Sequence, residues 1–138
     1  MKVTLKRIND SKHFRGSNEE GQSLELSGDG NAVGPMQSLL MAAAGCSTID
    51  IVMILEKMRQ PLDDIKVEVN GTRQEEIPRV FTEIHLHYIC YGDLKENKVK
   101  QAIDMSLEKY CSVSLMLAKA AKITSSFKIV NASRDSDS

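Results

Sequence analysis

The chemistry that this sequence offers is carried by cysteines, and two of the three lie in segments suited to redox work. Cys46 is in the middle of the apolar stretch "PMQSLLMAAAGCSTIDIVMILEKMR". Cys111 is in "LEKYCSVSLMLAKA", where one amphipathic helix is predicted to end and another to begin. If the fold brings the two sulfurs together, one thiol can attack an oxidant and the other can close a disulfide with the product. The pair is therefore a candidate redox site.

Each cysteine also has a plain structural interpretation. Free cysteine is among the most buried residue types, so Cys46 taken alone is more readily a small core residue than a nucleophile. Cys111 precedes Ser112 at a predicted helix start, where the helix dipole favours an anion. Cys90 shares a strand face with Ile84 and Leu86, and we expect it to be inert packing. Composition and periodicity leave both interpretations open for Cys46 and Cys111.

Length and composition narrow the class of protein. The chain has 138 residues, a net charge of −1 and 41% hydrophobic residues. This length suits one domain with one core, and the near-neutral charge predicts no attraction to nucleic acid or to an anionic membrane. An odd number of cysteines without a signal-peptide pattern favours a reducing cytoplasm over a disulfide scaffold. The longest apolar run, near residues 39–44, is expected to be too short to span a bilayer.

Two further patterns contain residue types that occur in ligand sites. His85 and His87 project from one strand face beside Glu83, but the pattern shows no evident third and fourth ligand, so we expect no metal. The glycines of the 28–34 loop form neither a phosphate-binding nor a dinucleotide-binding motif. We therefore expect the protein to need no metal and no cofactor.

Hydrophobic periodicity predicts the elements that must position the cysteines. Strands are predicted over residues 2–8, 23–27, 65–69, 80–91 and 123–130, helices over 39–55, 95–110 and 112–120, and a turn over 16–21. Pro35 suits the first turn of the long helix. Polar residues return at Glu56, and Pro61 marks the point by which the helix must have stopped. This order predicts an α+β fold with a mainly antiparallel sheet. We expect a single domain over residues 1–131 and a disordered tail over residues 132–138.

The helix predicted over residues 39–55 has apolar residues all around its axis, so it must be covered on nearly all sides. One small layer of sheet cannot cover such a helix, whereas a second copy of the chain can. We therefore expect a homodimer in which the central helices are buried.

Two segments carry a resemblance to a known family. "GPMQSLLMAAAGCSTIDIVMIL" and, farther along the chain, "AIDMSLEKYCSVSLML" resemble the OsmC/Ohr family of thiol peroxidases, which comprises osmotically inducible protein C and the organic hydroperoxide resistance proteins. The resemblance spans nearly the whole chain. It implies an intertwined homodimer, with Cys46 as the peroxidatic and Cys111 as the resolving cysteine. It also implies a small hydrophobic peroxide as substrate and an external dithiol, often of lipoyl type, as reductant.

The sequence departs from the family at one position that matters. Typical members place a glutamate just after the proline, where it holds an arginine that activates the peroxidatic thiol. Here Pro35 is followed by Met36 and Gln37, so that carboxylate is missing. Arg15 is the best candidate for the arginine. Asp50, one helical turn beyond Cys46, could replace part of the clamp if it pairs with an arginine. The preferred interpretation is a polar group of the helix that is satisfied by a backbone N–H or a basic side chain.

Three functions remain open on the sequence. The leading hypothesis is a cysteine-based peroxidase that reduces organic hydroperoxides or hydrogen peroxide in oxidative stress defence. The second hypothesis, which the missing glutamate favours, is a non-catalytic dimeric protein that binds a small ligand. A third is a thiol-based redox sensor that exchanges disulfides with a protein partner.

Overall fold

A computed structural model describes residues 1–131, so the predicted disordered tail over residues 132–138 lies outside the described residues. The described elements are β1 (Val3–Ile8), β2 (His13–Asn18), β3 (Ser23–Ser27), α1 (Pro35–Lys57), β4 (Leu62–Arg73), β5 (Phe81–Gly92), α2 (Glu96–Met105), a π-helical turn (Ser106–Tyr110), α3 (Ser112–Leu117) and β6 (Lys122–Val130). The α+β class is confirmed. The chain forms two compact units whose boundary falls inside α1, after Leu39.

The first unit contains an antiparallel sheet in the order β1-β2-β3. The sequence prediction of a turn over residues 16–21 was wrong in position, because β2 continues to Asn18. The reversal begins there instead, since the Asn18 side-chain oxygen accepts the backbone N–H groups of Glu20 and Gln22. Gly21, at φ +83°, then takes a left-handed conformation that glycine adopts at little cost.

Helix α1 begins where Pro35 predicted it. The Gln37 side-chain oxygen accepts the backbone N–H of Gly34 at 2.9 Å, which satisfies one of the donors that a helix N-terminus leaves unpaired. The helix has 23 residues, and by length and composition alone it is long and apolar enough to cross a membrane. The expectation of no membrane span rests on the apolar run at residues 39–44 alone. The whole helix is longer than that run, so its length does not support that expectation.

Burial along α1 is confined to one stripe. Its buried residues are Ala43, Ser47, Ile51 and Leu55, spaced four apart so that they share one face. Other apolar side chains of the helix stay exposed, including Met41, Ile49 and Met53. Among the described residues, α1 is therefore a core helix on one face only, and several apolar side chains on its other faces remain exposed.

The second unit contains the sheet β4-β5-β6, with β5 in the centre. β4 pairs with β5 antiparallel and β6 pairs with β5 parallel, so antiparallel pairing dominates as predicted. Alternate residues of β5, from Ile84 to Cys90, are fully buried, as the alternation of the sequence indicated. Val99, Ala102 and Ile103 of α2 complete this core.

The helix predicted over residues 95–110 is not regular throughout. It is α-helical to Met105 and then widens into the π-helical turn Ser106–Tyr110. The backbone N–H of Cys111 closes this turn by donating to the carbonyl oxygen of Ser106 at 2.7 Å. Such turns are frequent at functional sites, and this one sets the position of Cys111.

Candidate functional site

The structure brings Cys46 and Cys111 together in the second unit. Their sulfur atoms lie within 4.8 Å of each other, although 65 positions separate them in the sequence. Both are free thiols. Cys46 is half-buried on α1, whereas Cys111 is fully buried. The two sulfurs are therefore close enough for a small movement to join them in a disulfide, and Cys46 is the one that a solute can reach.

Cys111 is held by the start of α3. Its backbone is extended (φ −75°, ψ 99°), which makes it the residue that caps the helix. The backbone N–H of Ser114 donates to its sulfur at 3.4 Å, and its S–H donates to the Ser114 hydroxyl at 3.1 Å. The sequence expectation of a helix start at this position is confirmed.

Burial has a larger effect on the pKa of the Cys111 thiol than the hydrogen bonds at the start of α3. Loss of solvent raises the pKa of Cys111, and the adjacent Cys46 adds to that rise, while the two hydrogen bonds with Ser114 oppose it. The expectation that the helix dipole favours the Cys111 thiolate is therefore outweighed, since α3 has only six residues and the sulfur is dry. Burial therefore favours the protonated form of Cys111.

Asp50 completes a cluster with the two cysteines. One of its carboxylate oxygens lies within 4.8 Å of both sulfurs. The Ser106 hydroxyl donates to Asp50 Oδ2 at 3.0 Å and also lies 3.3 Å from the carbonyl oxygen of Ser47. The preferred interpretation of Asp50 as a polar group with a backbone or basic partner was wrong about the partner, which is a hydroxyl from the π-helical turn.

Sequence reasoning missed Ser106 as a member of this site. It appears on the apolar face of the predicted helix, where a serine must find a partner once buried. That signal could have identified it, because Ser106 is fully buried in the structure. A second buried pair lies beside it, in which the Tyr88 hydroxyl donates to Ser47 Oγ at 2.7 Å. Burial raises the pKa of Tyr88 to about 12, so this hydroxyl stays a donor.

A cavity of about 570 Å³ opens next to the cluster. Its lining residues come from α1, the residue that follows it, α2 and the π-helical turn: Asp50, Met53, Ile54, Lys57, Met58, Gln101, Met105 and Tyr110. Half of these side chains are aliphatic or thioether groups, and Asp50 and Lys57 are the charged members. The cavity gives a small apolar molecule space beside the carboxylate that borders both sulfurs.

Comparison with known proteins places this geometry in a family. The family model described as "OsmC-like protein" matches residues 28–126. Protein YhfA of Escherichia coli (strain K12) is 48% identical over 122 residues, which cover 86% of this chain and 91% of that protein. The chain belongs to the OsmC/Ohr family. The resemblance stated from the two cysteine segments is therefore confirmed.

Solved structures support the same fold. A hypothetical protein from Aquifex aeolicus VF5 has a TM-score of 0.87 at 30% identity, covering 94% of this chain and 96% of that one. A protein from Legionella pneumophila, described as an organic hydroperoxide resistance protein OsmC and a predicted redox protein, has a TM-score of 0.71 at 17% identity. It covers 93% of this chain and 97% of that one, and at this identity it shows the OsmC fold alone.

Two residues that the sequence analysis linked to activation of Cys46, Arg15 and Gln37, lie in the first unit. Arg15 is on β2, half-exposed, with Nη2 3.6 Å from the Glu25 carboxylate across the sheet. Its role as the activating arginine stays a prediction. Gln37 does not stand in for the missing glutamate as a free side chain, because its oxygen is already engaged by Gly34.

The remaining candidates have structural roles in the described residues. Cys90 is fully buried, as predicted, and burial raises the pKa of its thiol to about 11. His85 and His87 hydrogen-bond to the hydroxyls of Thr124 and Ser126 on the neighbouring β6. Both imidazoles therefore have a structural role, because their hydrogen bonds join β5 to β6.

Proposed function

We propose that this OsmC/Ohr protein is a thiol peroxidase that reduces organic hydroperoxides or hydrogen peroxide. The observation that carries the proposal is the approach of the Cys46 and Cys111 sulfurs to within 4.8 Å in one unit of the fold. Family membership supports a redox or stress-related role. The family contains proteins named for organic hydroperoxide resistance, which supports this choice of substrate class.

The proposed reaction has two steps at sulfur. Cys46 attacks the terminal oxygen of a hydroperoxide, so the O–O bond breaks, an alcohol leaves and Cys46 becomes a sulfenic acid. The Cys111 sulfur then attacks the Cys46 sulfur, and water leaves as the disulfide forms. Two electrons pass from the thiol pair to one peroxide. Cys46 takes the first step because it is the more exposed of the two.

A reductant must return the disulfide to two thiols. An external dithiol supplies both electrons by thiol–disulfide exchange and leaves as its own disulfide. A lipoyl-type dithiol is the proposed reductant, following the family resemblance. The cycle suits a reducing cytoplasm, which is the proposed location.

Activation of Cys46 differs from the usual family pattern, since the glutamate after Pro35 is absent. Arg15 is proposed as the activating cation, because a guanidinium that comes close to a thiol favours the thiolate. Glu25 is proposed as the carboxylate that holds Arg15, since Arg15 Nη2 lies 3.6 Å from Glu25 Oε2, although Glu25 also pairs with His13.

The cavity beside Asp50 is the proposed binding place for the organic part of the substrate. Its thioether and aliphatic lining suits an alkyl group, and its edge is formed by a residue of the thiol cluster. Burial of an alkyl chain there contributes about 0.8 kcal/mol per methylene group. A hydrophobic hydroperoxide should therefore be a better substrate than hydrogen peroxide.

The functional form is proposed to be a homodimer. The exposed apolar side chains of α1, which include Met41, Ile49 and Met53, would be covered by a second copy. The family resemblance implies the same assembly, with the sites near the interface.

Peroxide turnover with a dithiol reductant tests the proposed activity. We expect the parent protein to consume an organic hydroperoxide catalytically and Cys46→Ser to abolish that consumption. Cys90→Ala is the matched control, because it removes the third cysteine from outside the cluster and should leave turnover unchanged. Equal rates for the parent and Cys46→Ser would remove the peroxidase proposal.

The cavity also favours a second candidate function, binding of a small apolar ligand without catalysis. It would be preferred if the protein bound alkyl ligands stoichiometrically and showed no turnover. Met53→Glu, which places a charge in the lining, should then weaken binding, whereas Asn97→Glu on the exposed surface of α2 should not.

A further inference from the structure

The thiol cluster has the composition of a metal site as well as that of a redox pair. Cys46, Asp50 and Cys111 each offer one ligand atom, and all three atoms lie within 4.8 Å of one another. In a tetrahedral zinc site, thiolate and carboxylate ligand atoms lie roughly 3.5–3.8 Å apart. The three ligand atoms would therefore have to approach one another by at most about 1 Å to hold one ion.

The charge balance of the cluster favours a cation. Among the ion pairs of the described residues, none includes Asp50, whose partner is the neutral hydroxyl of Ser106. Two thiolates beside a carboxylate would repel one another in this half-buried place, because Lys57, which lines the same cavity as Asp50, forms no ion pair with it among the described residues. A divalent ion at their centre removes that repulsion and is itself held by three anionic ligands.

The ligand types select the ion. Two thiolates are soft ligands that favour Zn²⁺ over Mg²⁺ or Ca²⁺, which prefer oxygen. Three protein ligands leave the fourth tetrahedral position open, as in zinc sites that exchange ligands. Asp50 also lines the 570 Å³ cavity, which gives an ion or a water molecule a route to that position.

Groups around the cluster are placed to support such a site. The Ser106 hydroxyl fixes the Asp50 carboxylate, and the Ser114 backbone N–H points at the Cys111 sulfur. Hydrogen bonds of this kind orient metal ligands and are part of a metal site's affinity. They come from the π-helical turn and from α3, so one short segment supplies both contacts and one ligand.

We propose that the reduced Cys46–Asp50–Cys111 cluster binds one Zn²⁺ per chain. Binding requires both thiols, so the ion and the disulfide exclude each other. Where a peroxide oxidises the loaded site, two thiolates, one hydroperoxide and two protons give the disulfide, an alcohol and water, and Zn²⁺ is released. This release, and inhibition of turnover by Zn²⁺, rest on the proposed peroxidase function, whereas binding itself does not.

Cobalt substitution tests the site directly. Reduced, metal-free protein should bind one Co²⁺ per chain, with a thiolate-to-cobalt charge-transfer band in the near ultraviolet and visible bands of tetrahedral intensity. Zn²⁺ should displace Co²⁺ and abolish the spectrum, whereas Mg²⁺ should not. Cys90→Ala should bind as the parent does, because Cys90 is buried outside the cluster.

Variants of the ligands identify the site. Cys46→Ser and Cys111→Ser should each lose most of the charge-transfer intensity, and Asp50→Asn should weaken Co²⁺ binding at least about tenfold. In the unaltered chain, Zn²⁺ should slow alkylation of Cys46. This measurement does not depend on whether a variant folds. Absence of the charge-transfer band, the same band in either cysteine variant, or unchanged affinity in Asp50→Asn would each overturn the proposal.

The zinc proposal and the peroxidase proposal fail separately. Disulfide formation and peroxide turnover are measured on metal-free protein, and cobalt binding is measured without peroxide. A protein that turns over peroxide but shows no cobalt spectrum contradicts only the metal site. A protein that binds cobalt but consumes no peroxide contradicts only the enzyme.

Discussion

At the scale of single residues, the two thiols of the cluster lie close together but differ in burial and in hydrogen bonding. Cys46 is half-buried on a helix, while Cys111 is dry and hydrogen-bonded to Ser114 at the start of α3. Burial raises the pKa of Cys111 and so favours its protonated form, whereas the half-buried Cys46 is the more accessible thiol. This asymmetry orders the two proposed steps.

That order can be read from the mass of the oxidised protein. After one equivalent of peroxide, the parent should lose two hydrogens as the Cys46–Cys111 disulfide closes. Cys111→Ser should instead gain one oxygen atom at Cys46, because no partner thiol remains to condense with the sulfenic acid. Intact-mass analysis with peptide mapping measures both, and Cys90→Ala should behave as the parent. Oxygen addition without hydrogen loss in the parent would contradict the resolving role of Cys111.

Cys90 gives a pH dependence that is separate from the site. Burial raises the pKa of its thiol from an ordinary 9.0 to about 11. Between these values the unfolded chain has released the proton and the folded chain retains it, so folding stability falls as pH rises. We expect this group to lower the free energy of unfolding by roughly 1–3 kcal/mol across that interval.

Denaturant unfolding from pH 8 to 11 measures this slope, and Cys90→Ala should make it shallower. The comparison uses slopes because the substitution also leaves a small cavity in the core. An unchanged slope would show that Cys90 ionises equally in the folded and unfolded chains.

At the scale of elements, the site depends on how α1, β5 and the π-helical turn are joined in the second unit. Ser47 on the buried stripe of α1 accepts the Tyr88 hydroxyl from β5, and its carbonyl oxygen is approached by Ser106. Cys46 and Asp50 flank Ser47 along the same helix. These bonds therefore fix the rotation of α1 and with it the direction of two cluster side chains.

Removing the Ser47 hydroxyl should destabilise the protein. Ser47→Ala leaves the buried Tyr88 hydroxyl without its acceptor, which costs about 1–3 kcal/mol. Tyr88→Phe in the Ser47→Ala background should recover part of that loss, because both polar partners are then absent. Chemical denaturation of the double-mutant cycle measures the coupling. Ser38→Ala, which alters an exposed hydroxyl of the same helix, should change stability by less than about 0.5 kcal/mol.

At the scale of the whole molecule, the uncovered apolar surface of α1 is the feature that a single chain leaves unexplained. Ile49 is 63% exposed and Met53 is 51% exposed on a helix whose other face is in the core. A soluble monomer seldom presents such side chains together. A second copy of the chain is the proposed cover, and the proposed homodimer is the state in which the exposed face is buried.

A charge placed on this face should separate the subunits. Ile49→Glu introduces a carboxylate that would lose its water at an α1–α1 contact, so the variant should be monomeric where the parent is dimeric. Light scattering after size-exclusion chromatography measures the mass of each. Asn97→Glu adds the same charge on α2 and should leave the parent's mass unchanged. A monomeric parent, or a dimeric Ile49→Glu, would contradict the proposed interface.

Particular residues show which elements could be predicted from neighbouring residues in the sequence. The alternation of Ile84, Leu86 and Tyr88 predicted the buried face of β5, and Pro35 predicted the start of α1, because strand pleat and helix entry follow from near neighbours. The β2 strand was missed, because its glycine and polar residues resemble a turn and its pairing partners lie elsewhere in the chain.

The sequence by itself determined the two cysteine segments, the element order and the family, since these depend on residue types and short-range periodicity. Tertiary structure decided the π-helical turn, the burial that raises the pKa of Cys111, and the convergence of Asp50 and Ser106 on the thiols. This convergence joins groups more than fifty positions apart, whose mutual distance is set by packing of the core rather than by any local preference.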